Sequence, residues 1–489
     1  MTRPVKQVHL AALFPVNQMT AWRDARAGSQ VDFASYSHLA RTAERGRFDA
    51  FLLADFPRLV EHRGRISDIG VAGQLDQITV LSALASVTDR IGLAATVNTT
   101  FNEPFDVARK LATLDHLSGG RCGWNVVTTP DPWTGENFRR GGYLPYPDRY
   151  LRAAEFVDVA RTLWGGWGPR GAARFRHEGP HFRIGGRFTV PTSPQVHPLT
   201  IQAGDSEQGR EFAAATAEMI YSRHLGAAGR AFHADIKRRV ARHGRDPGHV
   251  KIMPGVSFVL GGCDEEARAN AVLAQRRAVS PQLAIWYLER VWGRDLSAYD
   301  PEGPLPGIDP DPDAAAPGWP GLADAAVRSR RAEKWRALAT ERKLSIRELV
   351  MKLTAGRPFI GTPARVAEQM NDYVQSDGAD GFVLVPRYAP GGLDEFVDRV
   401  VPELQDRGVL RTEYSSRTLR GHFGLPAPAG HRSGGVLSAI RGAERPPARG
   451  GVTVGVPRIA AGAASGGPSA VSPPALAQSA LAQPAGRQA

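Results

Sequence analysis

The chain has few cysteines: Cys122 and Cys263 are the only two among 489 residues. Two thiols do not build a disulfide framework or a cysteine-rich metal site, so we expect a protein of the reducing cytoplasm without a bound metal. The sequence also lacks any run of about 18 uninterrupted apolar residues, so no membrane-spanning helix is expected. Residues 1–14 lack the small-residue cleavage site of a signal peptide and are interpreted as a first strand.

Nucleic-acid binding is disfavoured, although the formal net charge is +12. The segment from Gly421 onward contributes six Arg and one Glu, and acids and bases are interspersed elsewhere. No basic stripe with interleaved aromatic residues occurs, so the charge is typical of a solvated surface. No G-x-G-x-x-G turn stands between a strand and a helix, so NAD(P)H binding by that motif is not expected.

Short apolar runs alternate with longer amphipathic segments along most of the chain. Eight predicted strands, each followed by a helix, favour a TIM-type (β/α)8 barrel at 1–425. A doubly wound α/β sheet is the alternative, but residues 14–17 do not form the Gly-rich phosphate loop that such a fold usually places after its first strand. The predicted strands are 9–14, 50–54, 91–97, 123–128, 199–203, 219–222, 250–260 and 382–385.

Two segments interrupt this rhythm and are interpreted as insertions. Residues 165–198, after the fourth helix, are rich in Gly, Pro, Arg and aromatics, and residues 292–324, between strands seven and eight, are rich in Pro, Gly and Asp. We expect both insertions to cover the mouth of the barrel and to select the substrate. Residues 426–489 consist mainly of Ala, Gly, Pro, Ser and Gln without a periodic apolar face, and they are predicted to be disordered.

The carboxyl ends of barrel strands carry the active site in this fold class. Here those ends are rich in hydroxyls and poor in acids, which suits a large polar ligand better than a metal or a paired-carboxylate hydrolase. The most informative turn is Ala203, Gly204, Asp205 and Ser206, where Gly allows close backbone approach and Ser206 stands at the start of a helix. Free N–H groups at a helix start favour a phosphate, although ordinary helix capping explains the same residues.

Four further residues, two at strand ends and two at the start of helix four, are candidates with competing explanations. Asp55 directly follows strand two, where a helix cap or a salt bridge is an equally good interpretation. Tyr146 and Tyr150 flank the start of helix four, where aromatic packing is the alternative. His224 follows strand six, but a single His is weak evidence for catalysis.

Several stretches between residues 9 and 425 match the sequence motifs of a known family. The most specific match is the pair of segments 114–121 and 123–128, and further matches lie at 40–46, 202–204 and 380–382. On these residues the chain resembles the bacterial luciferase-like flavin monooxygenases. The resemblance is stronger to the branch that contains nitrilotriacetate monooxygenase, dibenzothiophene sulfone monooxygenase and the larger subunit of pristinamycin IIA synthase.

The resemblance implies a TIM barrel that binds FMN, used as FMNH2 from a separate NAD(P)H:flavin reductase, and that oxidises a small-molecule substrate with O2. A homo-oligomer is also expected. Ser206 and its helix would take the flavin phosphate. The implied cofactor contacts are Asp55, Thr96, Thr128, Thr129, Tyr146, Tyr150, Ala203, Gly204, Asp205 and Ser206.

The chain departs from the family at Tyr146, which stands where relatives commonly have His. A phenol donates a hydrogen bond, but its pKa makes it a poor general base near neutral pH. Tyr146 and His224 are the candidate catalytic residues. The alternatives are a flavin-using lyase or desulfurising enzyme of the same family, an inactive flavin-binding homologue favoured only by Tyr146, and an unrelated barrel hydrolase, which the absence of a carboxylate pair disfavours.

Overall fold

The computed structural model describes residues 5–15, 26–59, 61–62, 65–66, 73–129, 134, 137–138, 146–314, 325–356, 358–428, 436 and 440. The chain from Met1–Glu444 forms one compact unit, and residues 445–489 lie outside the described residues. Within the described ranges, no helix has both the length and the apolar character needed to span a membrane.

Eight parallel strands close into a barrel in the order in which they occur along the chain, which confirms the predicted TIM-type fold. The closure is direct, because His9 in the first strand pairs with Gly381 in the last and Ala11 pairs with Ala50 in the second. The strands are β1 His9–Leu13, β2 Ala50–Leu53, β3 Gly92–Asn98, β4 Cys122–Val127, β5 Leu199–Gln202, β6 Met219–Ser222, β7 Lys251–Val256 and β8 Gly381–Leu384.

Helices follow the barrel strands and cover their outer faces. Apart from β7, the bounds of the strands differ from the predicted ones by at most one residue. The helices in the described ranges are α1 Phe33–Arg45, α2 Gln77–Ala85, α3 Pro104–Leu117, α4 Tyr146–Trp164, α5 Glu207–Thr216, α6 Gly226–Arg242, α7 Asp264–Ala278, α8 Pro281–Trp292, α9 Ala325–Arg342, α10 Ile346–Thr354, α11 Pro363–Gln375, α12 Asp394–Asp406 and α13 Leu419–His422.

Side chains of each strand alternate between the helices and the barrel interior, as the two-residue period of a strand requires. In β2, Phe51 and Leu53 join the core under the helices, whereas Ala50 and Leu52 join the interior cluster. The interior is apolar in its middle and becomes polar towards the carboxyl ends, where Thr96, Asn98, Asn125 and Tyr221 occupy the inward phase. The middle consists of Ala11, Ala50, Leu52, Ala94, Leu199, Ile201, Met219, Met253 and Val383.

Residues 407–425, which we call the C-terminal plug, cross the amino end of the barrel. Val8 donates its amide to the Val409 carbonyl (2.7 Å), and Leu419 donates to the Gly120 carbonyl (3.0 Å). The Leu419 side chain enters the barrel interior, where a Cβ on Gly92 would overlap it. The plug therefore closes the end of the barrel opposite the predicted site.

The predicted insertion at 165–198 does not cover the barrel mouth, so that expectation was wrong. It forms two antiparallel hairpins, Trp167–Gly168 with Gly171–Ala172 and Arg174–Glu178 with Arg183–Arg187. The second hairpin packs on the outside of α4, because its His177 contacts Glu155 of that helix at 2.9 Å. The physical reason is topological: a segment that joins a helix to the next strand returns along the outside to the amino-terminal end of the barrel.

The insertion near 292–324 is part of a larger one at 257–361. The predicted strand 250–260 is split after Val256: Phe258–Leu260 leaves the barrel and pairs with Phe359–Gly361. The segment between these two strands contains α7–α10. Because this insertion starts at the carboxyl end of β7 and ends just before α11, the helix that leads to β8, it lies on the side of the predicted site.

Two residues beyond the predicted barrel boundary are buried. Val436 and Ile440 are each 5% exposed and join the main core. The Val436 amide donates to the Asp158 carboxylate of α4 at 3.1 Å. Packing against the barrel therefore extends past 425, and the disorder predicted for the rest of the tail concerns residues outside the described ranges.

Candidate active site

The residues predicted to bind the cofactor lie at the ends of four consecutive strands, β2 to β5, and the candidate catalytic residue His224 follows β6. Together they form a continuous arc around the carboxyl end of the barrel. Two cavities lie along this arc, of about 330 Å³ between the ends of β2 and β3 and of about 200 Å³ between the ends of β5 and β6. A cavity of about 450 Å³ lies at the opposite end, against the plug, and contains none of the predicted residues.

Asp55 and Thr96 line the first cavity together with Asn98. Burial raises the pKa of Asp55 to about 6, and repulsion from Asp76 adds to the rise, whereas hydrogen bonds from Gln77 and Asn98 lower it. The carboxyl group therefore changes its protonation state close to neutral pH, which is unusual for an aspartate.

Asn125 connects this region to β4. Its Nδ2 donates to the Thr96 hydroxyl at 3.0 Å, and its Oδ1 is buried without a hydrogen-bond partner in the described part of the chain. The buried Thr100 hydroxyl has no partner there either. Thr128 and Thr129 follow β4 half-buried, and the Thr129 carbonyl accepts from Arg149 Nη1 at 3.0 Å. Buried polar atoms without partners indicate a ligand in this part of the barrel mouth.

The turn Ala203–Ser206 leads directly from β5 into the start of α5. Ser206 caps α5 and accepts from the Gly209 amide at 3.1 Å. The Tyr150 hydroxyl lies 3.4 Å from the Ser206 hydroxyl, so these two predicted residues are together. A Cβ on Gly204 would lie 2.8 Å from Gly209 Cα, which shows how closely the turn lies on the helix.

Comparison with known proteins identifies the family of this site. The family model described as luciferase-like monooxygenase matches residues 16–381, about three quarters of the chain. The chain belongs to the luciferase-like monooxygenase family. The resemblance inferred from the sequence motifs is thereby confirmed.

Several known proteins are similar to this chain over nearly their whole length. Nitrilotriacetate monooxygenase component A of Aminobacter aminovorans is 36% identical over 455 residues, covering 86% of this chain and 97% of that protein. Dibenzothiophene-sulfone monooxygenase of Rhodococcus erythropolis is 35% identical over 457 residues, covering 86% and 98%. The structure of a riboflavin lyase with modified FMN and riboflavin has a TM-score of 0.71 at 27% identity, covering 88% of this chain and 99% of the lyase.

In this family member, Asp205 and His224 are paired. His224 Nε2 lies 2.7 Å from Asp205 Oδ1, and Arg210 Nη2 lies 3.1 Å from the same oxygen. Burial tends to raise the pKa of Asp205, but hydrogen bonds from His224 and Arg210 outweigh it and lower the pKa. The His224 ring also packs against Phe232, with ring centroids 5.0 Å apart. His224 is thus fixed against the end of β5 rather than free in the mouth.

Tyr146 is the first residue of α4, but its side chain is outside what the structure describes. The neighbouring turn of the helix is firmly attached to the strand ends. Arg152 donates from Nε to the Thr99 carbonyl and from Nη2 to the Asn102 carbonyl, both at 3.0 Å. Helix α4 thereby fixes the position of Tyr150 relative to β3 and β5.

Sequence reasoning missed Tyr221 as a site residue. It lies in β6 two residues after Met219, in the inward phase, and it lines the cavity beside Ala203 and Arg223. Burial raises the pKa of Tyr221 although the charge of Arg223 opposes the rise, so the phenol keeps its proton at neutral pH. Side chains of a strand point alternately to its two faces, so the sequence of β6 predicts that Tyr221 points into the barrel as Met219 does.

Proposed function

We propose that this family member is the FMN-dependent monooxygenase component of a two-component system. It takes FMNH2 from a separate NAD(P)H:flavin reductase and uses O2 to oxidise a small organic substrate. The observation that carries the proposal is the turn Ala203–Ser206, which presents a capped helix start to a cavity at the carboxyl end of the barrel. The term "component A" in the name of the nitrilotriacetate relative supports the separate reductase.

The residues of the arc fit FMN. Ser206 and the free amides of α5 would bind the phosphate, because the positive end of the helix dipole stabilises an anion. Gly204 has no side chain, so the backbone of the turn can approach the phosphate closely. Tyr150 of α4 brings its hydroxyl next to the Ser206 hydroxyl. The unpartnered Asn125 Oδ1 offers an acceptor for an N–H of the ring system. Reduced FMN, when bound, supplies the electrons that activate O2.

Other residues of the arc orient the ligand or control protons. Asp55, with a pKa of about 6, donates or accepts a proton near neutral pH at the end of β2. His224 holds Asp205, and through it the phosphate turn, in place. We retain Thr96, Thr128, Thr129 and Ala203 as flavin contacts. The catalytic roles of His224 and Tyr146 stay predictions, as does a homo-oligomeric state.

A second candidate is a flavin-dependent cleavage reaction without net oxygen transfer. It is favoured by the similarity to the riboflavin lyase over 88% of this chain. The two candidates use the same cofactor site and differ in the fate of the substrate.

The source of electrons and the fate of oxygen test this proposal. The purified chain with FMN should consume NADH no faster than FMN alone, because its sequence lacks a dinucleotide-binding turn. With a generic flavin reductase added, a panel of thioethers, amines and ketones under ¹⁸O₂ should yield one product class with a single ¹⁸O atom. Rapid NADH consumption without reductase would contradict the two-component system, and cleavage products free of ¹⁸O would favour the lyase.

The role of Ser206 can be measured by comparing two flavins. Ser206→Ala should weaken FMN binding by roughly tenfold or more, because a hydrogen bond to a charged group contributes about 1.5–3 kcal/mol. Riboflavin has no phosphate, so its affinity for the variant should be within about twofold of its affinity for wild type. Thr418→Ala removes the cap of α13 in the C-terminal plug, at the opposite end of the barrel, and serves as the control for loss of a helix cap. Equal losses for FMN and riboflavin would show that Ser206 does not bind the phosphate.

A further inference from the structure

Arg387 lies three residues beyond the end of β8, on the same face of the barrel as the flavin arc. Its Nη1 makes one long contact, 3.5 Å, to the Gln275 side-chain oxygen. Its Nε is buried, and within the described part of the chain neither Nε nor Nη2 has a hydrogen-bond partner. One complete edge of the guanidinium is therefore unused.

The charge of Arg387 is not compensated. Burial lowers the pKa of Arg387, and no neighbouring carboxylate opposes that effect within the described ranges. By contrast, two buried arginines at the opposite, amino end of the barrel have acids close by: Arg420 pairs with Glu218, and Arg411 pairs with Asp49. A buried cation without a counter-ion is costly, and such groups are typically retained for a ligand.

The position of Arg387 separates it from the cofactor residues. The proposed flavin contacts lie at the ends of β2 to β5, whereas β8 lies between β7 and β1 and is four strands away from β4 in the ring. The insertion at 257–361 packs beside it, because Gln275 of α7 is itself fixed by the Met351 carbonyl and the Thr354 hydroxyl, both at 3.1 Å. Arg387 thus lies outside the flavin arc, where the large insertion meets the carboxyl end of the barrel.

We propose that Arg387 binds a carboxylate group of the substrate, so that this enzyme acts on organic acids. The inference rests on the proposed function, since it assigns the substrate class of the same site. Nε and Nη2 form the edge of a guanidinium that holds both oxygens of a carboxylate in two parallel hydrogen bonds. The contact to Gln275 through Nη1 leaves that edge free and sets its direction.

The test measures carboxylate binding to the FMN-loaded full chain. Acetate, succinate, iminodiacetate, citrate and phenylacetate are titrated in thermal-shift experiments, each beside its neutral amide. At least one acid should bind wild type ten times more tightly than its amide. Arg387→Met should bind that acid at least ten times more weakly than wild type does. Arg387→Lys keeps the charge but loses the paired geometry, so its affinity for the acid should lie between those of wild type and Arg387→Met. Arg268→Met on α7, whose side chain is 65% exposed, is the matched control and should bind as wild type does.

The same samples separate this proposal from the cofactor proposal. FMN affinity and reductase-coupled activity towards the ¹⁸O panel, measured without added acids, report on the proposed function alone. The carboxylate role is overturned if no acid is preferred over its amide, if Arg387→Met binds the acids as wild type does, or if FMN binding weakens as much as acid binding. Should Arg387→Met fail to fold, Arg387→Lys decides: several-fold weaker acid binding with unchanged FMN affinity supports the role, and unchanged acid binding refutes it.

Discussion

Glu218→Gln lowers the thermal unfolding midpoint of the chain by roughly 5–10 °C, because it breaks the buried ion pair that holds the C-terminal plug. Glu218, just before β6, pairs with Arg420 of the plug, and these side chains are 14% and 6% exposed. It also accepts from the Thr200 amide at 3.0 Å. Removing one partner of such a pair typically costs about 3–5 kcal/mol, since the remaining charge stays buried, and each kcal/mol corresponds to about 2 °C in a large domain.

The pH dependence of stability gives a second readout for Glu218. Burial tends to raise its pKa, but the charge and hydrogen bonds of Arg420 outweigh burial and hold the pKa at about 2, below the ordinary value of 4.5. A lowered carboxyl pKa stabilises the folded state above the ordinary value, and this stabilisation is lost as the pH falls towards 2. Glu218→Gln should therefore lose less stability than wild type between pH 4.5 and 2.

A surface ion pair provides the matched control for Glu218. Arg176 and Glu178 pair on the hairpin at 79% and 59% exposure. Glu178→Gln should change the midpoint by less than about 2 °C, since exposed pairs contribute about 0–1 kcal/mol. A Glu218→Gln midpoint indistinguishable from that of Glu178→Gln would show that the plug does not depend on this ion pair.

Gly204→Ala should weaken FMN binding by roughly 10- to 100-fold with little change in the fold. The added Cβ would lie 2.8 Å from Gly209 Cα and 3.1 Å from its carbonyl carbon, and both are backbone atoms that move only with the helix start. Relieving such overpacking costs about 1–3 kcal/mol and displaces the amides that face the phosphate. Flavin fluorescence titration with FMN measures the loss directly.

The control for Gly204 is another glycine in open surroundings. Gly185 lies in the hairpin, where an added Cβ would be 3.7 Å from the Phe175 carbonyl oxygen, an ordinary contact. Gly185→Ala should leave FMN affinity unchanged. If Gly204→Ala also binds FMN as tightly as wild type, the turn Ala203–Ser206 is not the phosphate site.

The arc of candidate residues was predictable because it depends on strand ends. Once β2, β3 and β5 are located by their apolar runs, Asp55, Thr96 and Ser206 must share one face of a parallel barrel. Their partners were not predictable. The bonds from His224 to Asp205 and from Tyr150 to Ser206 join residues 19 and 56 positions apart, and no local pattern encodes such contacts.

The sequence by itself determined the barrel, its strand order and the end at which the site lies, because apolar runs of strand length and helical periodicity are local properties. Only the tertiary structure decided where the two insertions lie, that the C-terminal plug closes the amino end through Glu218 and Arg420, and that Arg387 keeps an unused edge beside the site. Those features arise from contacts between distant segments and from burial of charge, which depend on how the elements pack rather than on the order of neighbouring residues.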